Sequence, residues 1–327
     1  MLNLLRKSPL KTVISLAAAT LLSASAHAFD EVYIFGDSLS DTGNLNLVTQ
    51  GQIPARFTNG DVVAVDVLAE SLNTVAVPAG HLAGLNIGNN YAVGGAVALD
   101  ADGDETTPDT NLPTQVNAYL ASTGFVSNPN ALYVVVIGGN DLFAAQEIRA
   151  QYVKTSPGEE RRAIRKASKA RVDVAVEAIT AQIMKLVATG AQNILVGNAP
   201  DLSKVPATDV LVAGLLATAE TNPEIKRSEK MYSLTANLVN RFNRKLSRAI
   251  GGIEAATGLD IIEWDLQAFL DSQIEDAEAL GYTNTEDACS PAPQGLACEG
   301  FVFADNVHPT SQVHTRAGEN IIELLND

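Results

Sequence analysis

Four short apolar runs constrain this chain more than any other feature, because they leave no room for a polar face. Residues 132–137, Leu-Tyr-Val-Val-Val-Ile, would be apolar on both sides of any strand they form. Residues 31–35, 193–196 and 260–263 also read as strands. Strands buried on both sides belong in a parallel sheet covered by helices. Helical patterns lie between the runs. Residues 173–189 place Val176, Ile179, Ile183, Leu186 and Val187 on one face, with Gly190 as a stop. Residues 233–250 do the same with Leu234, Leu238, Phe242, Leu246 and Ala249, with Gly251 as a stop. The alternation predicts an α/β fold, a three-layer α/β/α sandwich with a central parallel sheet. Ligands of open α/β sheets bind at the carboxyl ends of strands. Gly36-Asp37-Ser38 and Gly138-Gly139-Asn140-Asp141 both fall at such ends.

With 327 residues, 46% of them hydrophobic, the chain can build one large core and does not require two domains. The first 28 residues stand apart. Arg6, Lys7 and Lys11 precede an Ala-rich apolar run at 13–22, and Ala26-His27-Ala28 supplies small residues for cleavage. This is the layout of a secretory signal. The run is shorter than the ~20 residues a membrane span needs. The expectation is export, to the periplasm or the medium, with cleavage near Ala28 and a single domain at 29–327. Losing three cationic and no anionic residues moves the net charge from −16 to −19. Such a surface repels nucleic acid and anionic membranes, so neither a nucleic-acid partner nor a stable membrane anchor is expected. No terminal β-barrel pattern points to self-anchoring, and a monomer is expected.

Cys289 and Cys298 are the only cysteines. An exported chain meets oxidising conditions, which predicts a disulfide. A two-cysteine zinc site is the weaker reading, as no histidine stands at ligand spacing beside them. Three stretches read as insertions: the acidic 100–109, the charge-dense 149–171 and the acidic 271–300. The middle one carries seven Lys and Arg between Lys154 and Arg171 and reads as a solvated helix and loop.

Acyl transfer through a serine needs a nucleophile, a base, a group that orients the base, and donors for the oxyanion. Beyond the leader only His81, His308 and His314 could serve as the base. Asp305 stands three residues before His308, close enough to turn back onto the imidazole and fix its tautomer. Alone, such a pair is often a capped loop. Ser38 alone reads equally well as a helix N-cap.

Four blocks decide between these readings. Residues 35–44 (Phe35 to Asn44, with Gly36-Asp37-Ser38-Leu39), 90–96 (Asn90 to Ala96), 138–141 and 305–310 resemble, in order, the motif blocks of the GDSL (SGNH) lipase/esterase family, especially its secreted phospholipase and esterase branch. The resemblance spans nearly the whole mature chain. It implies the flavodoxin-like SGNH fold and a serine ester hydrolase that needs no cofactor and no metal. It implies Ser38 as nucleophile, His308 as base and Asp305 as its orienting carboxylate. Gly95, with the adjacent Gly94 leaving the register open by one, Asn140 and the Ser38 amide would bind the oxyanion. Ser38 is not in a G-x-S-x-G elbow, which separates this chain from ordinary α/β-hydrolases. Phe303-Ala304 departs from the Trp-Asp found in many relatives, and the smaller residue at 304 is expected to alter the pocket wall.

The expected substrate is a small-molecule or lipid ester. A phospholipase or acyltransferase using the same triad is the alternative, and a non-catalytic binding module is a more distant one. Asp37, Asp41 and Asn44 read as organisers of the nucleophile turn, and His314 as a packed residue. The run 100–105 resembles a fragment of a calcium loop, but its glycine is misplaced and no bidentate Glu follows, so no metal site is expected. The apolar stretch 210–219 reads as a buried helix. A lid or acyl-pocket wall built on Leu211 and Leu215 is the sharper alternative.

Overall fold

The computed structural model describes residues 29–99 and 109–326. The expected leader and the calcium-like run at 100–105 lie outside them. The elements, in chain order, are β1 (Val32–Gly36), α1 (Asn44–Val48), α2 (Ala64–Ser71), α3 (Leu112–Ser122), β2 (Leu132–Val136), α4 (Gly139–Ala150), α5 (Glu159–Ala188), β3 (Asn193–Gly197), α6 (Pro206–Ala217), α7 (Asn222–Glu229), α8 (Met231–Thr257), β4 (Ile261–Trp264), α9 (Leu266–Glu275), α10 (Ala277–Leu280), β5 (Asn284–Ala288), β6 (Phe301–Phe303) and α11 (Ser311–Asn326). The four apolar runs form one parallel sheet in the order β1-β2-β3-β4. Their ends align, with Gly36 paired to Val136, Val136 to Gly197 and Gly197 to Trp264. A common carboxyl edge follows, and loops from different parts of the chain open onto it.

Both faces of the sheet are covered. On one, Tyr33, Phe35 and Tyr133 meet Tyr119 of α3, with its ring centroid 4.6–5.7 Å from theirs. On the other, Val136 and Trp264 face Ala64 and Val65 of α2 and Ala317 and Ile321 of α11. Gly36 is fixed by this packing, since a Cβ there would lie 2.4 Å from the Val136 carbonyl oxygen. Residues 89–93 run beside β1 as an irregular fifth strand, through Tyr91 N–H to Ile34 O and Val93 N–H to Gly36 O.

Two expectations are corrected and a third is refined. The second helix does not stop at Gly251; it runs to Thr257 and ends at Gly258, whose φ is +76°. Two interior glycines cost about 1 kcal/mol each, but Ile253 continues the buried stripe of Leu246 and Ile250. The charge-dense stretch is a loop and the first part of α5, mostly exposed as expected, with Ile164 and Ser168 as its buried positions within the helix. The apolar segment after residue 205 forms α6, but half of it is exposed, Val210 by 58%. Leu211 and Leu215 pack on a small separate cluster with Val153, Val212 and Met231, away from the cleft. Among the described residues, no helix is long and apolar enough to cross a membrane.

Cys289 and Cys298 are bonded across a nine-residue separation. A closed loop of that length stabilises by about 2–3 kcal/mol in the chain-entropy model. Replacing both by serine is expected to lower the unfolding free energy by that amount, read from urea titrations. A second prediction concerns acid. His314 is buried, and desolvation pushes its pKa down to about 3. The unfolded chain takes up this proton near the ordinary value of about 6.5, so stability from the neutral ring is complete above that pH and lost as pH falls towards 3. Asp37 and Asp141 act in the opposite sense, since burial raises both to about 6. The His314→Gln variant should therefore lose less stability than the parent between pH 6.5 and 4. Identical acid slopes for the two proteins would refute this.

Candidate active site

β1 ends at Gly36, and the chain turns at once. The Asp37 carbonyl accepts from the N–H groups of Ser40 and Asp41, while its carboxylate Oδ1 accepts from Leu39 N–H. Ser38 is held on this turn at the carboxyl edge, 7% exposed. The histidine arrives from β6. The Ala304 N–H donates to the His308 carbonyl and closes a tight loop, inside which Asp305 Oδ1 accepts from the N–H groups of Val307 and His308. His308 Nδ1 lies 3.0 and 2.8 Å from the two Asp305 oxygens, and Nε2 lies 2.8 Å from Ser38 Oγ. A carboxylate can only accept, so Nδ1 carries the proton and Nε2 turns its lone pair to the serine. Burial works against the Asp305 charge, yet His308 and the two backbone N–H groups hold its carboxyl below the ordinary carboxylate range.

The second block is tied to the first by buried polar groups. Asn90 Nδ2 donates to the Ser40 carbonyl, and Asn44 Nδ2 to the carbonyls of Asn90 and Ala92. Asp41 Oδ1 accepts from Gly43 and Asn44, and its Oδ2 from Gly94. This bears on the register left open between Gly94 and Gly95. Gly94 spends its N–H on Asp41, and Ala96 spends its own on the Val93 carbonyl. Gly95, with φ +78°, is left without a protein acceptor for its N–H among the described residues. Asn140 opens α4 after β2, and its Nδ2 donates to the Ala96 carbonyl at 2.8 Å. That bond fixes which end of the amide faces the loop and, among the described residues, leaves the second N–H of the same nitrogen without a partner.

Ser38 and Asn140 share a small cleft of about 50 Å³, whose apolar wall includes Phe143, Leu202, Val205 and Leu270. Phe303 lines it as well. Ala304 is fully buried and does not line it. A larger open groove of about 780 Å³ between α8, β4 and α9 contains none of these groups. His314 lines a separate cavity with Ser40 and Trp264, and its Nε2 has no hydrogen-bond partner among the described residues. His81 is packed near Tyr91, with ring centroids 5.6 Å apart, and burial depresses its pKa to about 4.

The sequence reading passed over residues 56–60. Phe57 stands 5.3 Å from His308, ring to ring, and would collide with any Cβ on Gly94. Thr58 Oγ1 donates to the Pro309 carbonyl, and Asn59 Oδ1 accepts from Ser311 N–H. Together they brace the far side of the histidine loop. Their signal was weak: an aromatic followed by Thr, Asn and Gly, with no helical or strand period around it.

The chain is similar to known proteins over most of its length. "Lipase 1" of Photorhabdus luminescens is 26% identical over 95% of this chain, which spans about half (52%) of that relative's length. "Phosphatidylcholine-sterol acyltransferase" of Aeromonas hydrophila is 25% identical, covering 94% of this chain and 93% of its own. Among solved structures, a member of the lipolytic protein G-D-S-L family from Veillonella parvula aligns over 90% of this chain and 96% of its own, at 13% identity and a TM-score of 0.44. The profile of the GDSL-like lipase/acylhydrolase family matches residues 32–321, so the chain belongs to that family.

Proposed function

We propose that the protein is an exported carboxylic ester hydrolase that works through an acyl-enzyme on Ser38. The observation that carries this reading is the unbroken hydrogen-bonded series from Asp305 through His308 to Ser38 Oγ, beside an apolar cleft that includes Asn140. Ser38 Oγ attacks the ester carbonyl carbon, and His308 Nε2 takes the hydroxyl proton. The carbonyl oxygen becomes an oxyanion facing the Gly95 and Ser38 amides and the free N–H of Asn140. Collapse of the adduct expels the alcohol, which leaves with the proton from His308. Water repeats the sequence and frees the acid. Asp305 stays ionised throughout and stabilises the imidazolium.

The bonded cysteines and the basic, apolar leader support export and a mature domain at 29–327. A second reading is acyl transfer to an alcohol, or attack on a phospholipid, by the same residues. It is favoured by the near full-length likeness to the Aeromonas protein.

Ser38→Ala is expected to abolish turnover of p-nitrophenyl butyrate while leaving the unfolding midpoint unchanged, and His308→Ala should match it. His314→Ala should keep most of the activity. Retained turnover in Ser38→Ala would rule the assignment out. Asn140→Ala should lower kcat by about 10²–10³ with little change in KM, the cost of one oxyanion donor. Product analysis with phosphatidylcholine vesicles, with and without an added alcohol, separates hydrolysis from transfer.

A further inference from the structure

The loop that follows Gly95 is fastened to the helices at three successive places. Asn140 Nδ2 holds the Ala96 carbonyl at 2.8 Å. Asp141 Oδ2 accepts from Ala98 N–H at 2.8 Å. Arg171 Nη1 donates to the Leu99 carbonyl at 2.9 Å. The last two fasteners are themselves joined, because Arg171 Nη2 lies 3.0 Å from Asp141 Oδ1.

Arg171 belongs to the charge-dense stretch that reads as solvated, but its side chain is only 17% exposed and that of Asp141 is fully buried. A buried carboxylate is costly unless paired. A guanidinium carries its donors in a fixed fork; here Nη1 donates to the Leu99 carbonyl, and Nη2 sits beside Asp141 Oδ1 as an ion pair without forming a hydrogen bond. Arg171 stands in α5, which packs along α4 and α8. The fork is thus borne by a 30-residue helix whose buried stripe includes Val172 and Ala175 beside it. Asp141 is the neighbour of Asn140 on α4, and Leu99 lies four residues beyond Gly95.

We infer that Arg171 is a positioning residue: through Asp141 and the Leu99 carbonyl it holds the loop at 96–99 on α4, and so fixes Gly95 and Asn140 relative to Ser38. This inference rests on the ester-hydrolase reading above. Misplacing such donors by about 1 Å costs on the order of 10²-fold in rate. The loss falls on the transition state, because both donors face charge that develops only there.

The test compares the parent, Ser38→Ala, Arg171→Lys, Arg171→Met and the double variant Asp141→Asn/Arg171→Met, which removes the unpaired buried charge should the single Met variant not fold. Each is assayed with p-nitrophenyl butyrate and titrated with phenylboronic acid, which forms a tetrahedral adduct on the serine oxygen. In the folded Met variants kcat should fall about 10- to 100-fold, with KM within a factor of about two. Phenylboronic acid affinity should weaken in step. Arg171→Lys, which keeps the charge but not the fork, should lie between them and the parent. Parent kcat in a folded Met variant would overturn the inference. So would a fall in kcat with unchanged phenylboronic acid affinity. An inactive parent would instead overturn the ester-hydrolase reading itself, and this inference with it.

Discussion

The carboxylate of Asp41 accepts four backbone N–H groups, from Gly43, Asn44, Leu45 and Gly94. It is fully buried. Desolvation pushes its pKa up, and the N–H groups of Gly43, Gly94, Asn44 and Leu45 work in the opposite direction. One side chain thereby sets the turn after Ser38 and the height of the glycine loop across from it. Two segments some fifty residues apart are locked into one rigid body, and Asn90 and Asn44 extend the lock to the fifth strand. The geometry of the proposed site depends on this joint as well as on the sheet beneath it. The sheet supplies a common edge, but the buried polar contacts decide where along that edge each loop lies.

Much of this arrangement was legible locally. Strand ends followed from runs of β-branched residues meeting glycines, and the structure moves them by one residue or none. Asp305 and His308 are three apart, so their pairing is a matter of one turn. The Gly94/Gly95 ambiguity was not legible, because it depends on which N–H Asp41 takes, and nothing in the local sequence states that.

The misreadings have a common origin in tertiary burial. Gly251 looked like a stop because intrinsic propensity says so, yet α8 continues while Ile253 still has a core to enter. The amino-terminal half of α5 is solvated for most of its length, but its lysines and arginines mask the buried positions Ile164, Ser168 and Val172. The segment that became α6 looked buried because it is apolar all round, but partners exist for only one of its faces. Residues 56–60 were passed over since their partners, Pro309 and Ser311, lie some 250 residues away.

The ten-residue ring closed by Cys289 and Cys298 leans directly on the histidine loop. Cys289 and Ser290 donate their N–H groups to the carbonyls of Phe303 and Ala304, and Gly295 donates to that of Asn59. His308 and its brace therefore share a wall whose stiffness is set by the oxidation state of two sulfurs. In a thiol-rich cytoplasm that wall is held by hydrogen bonds alone. The compartment in which the chain folds thus helps determine how firmly its imidazole is aimed.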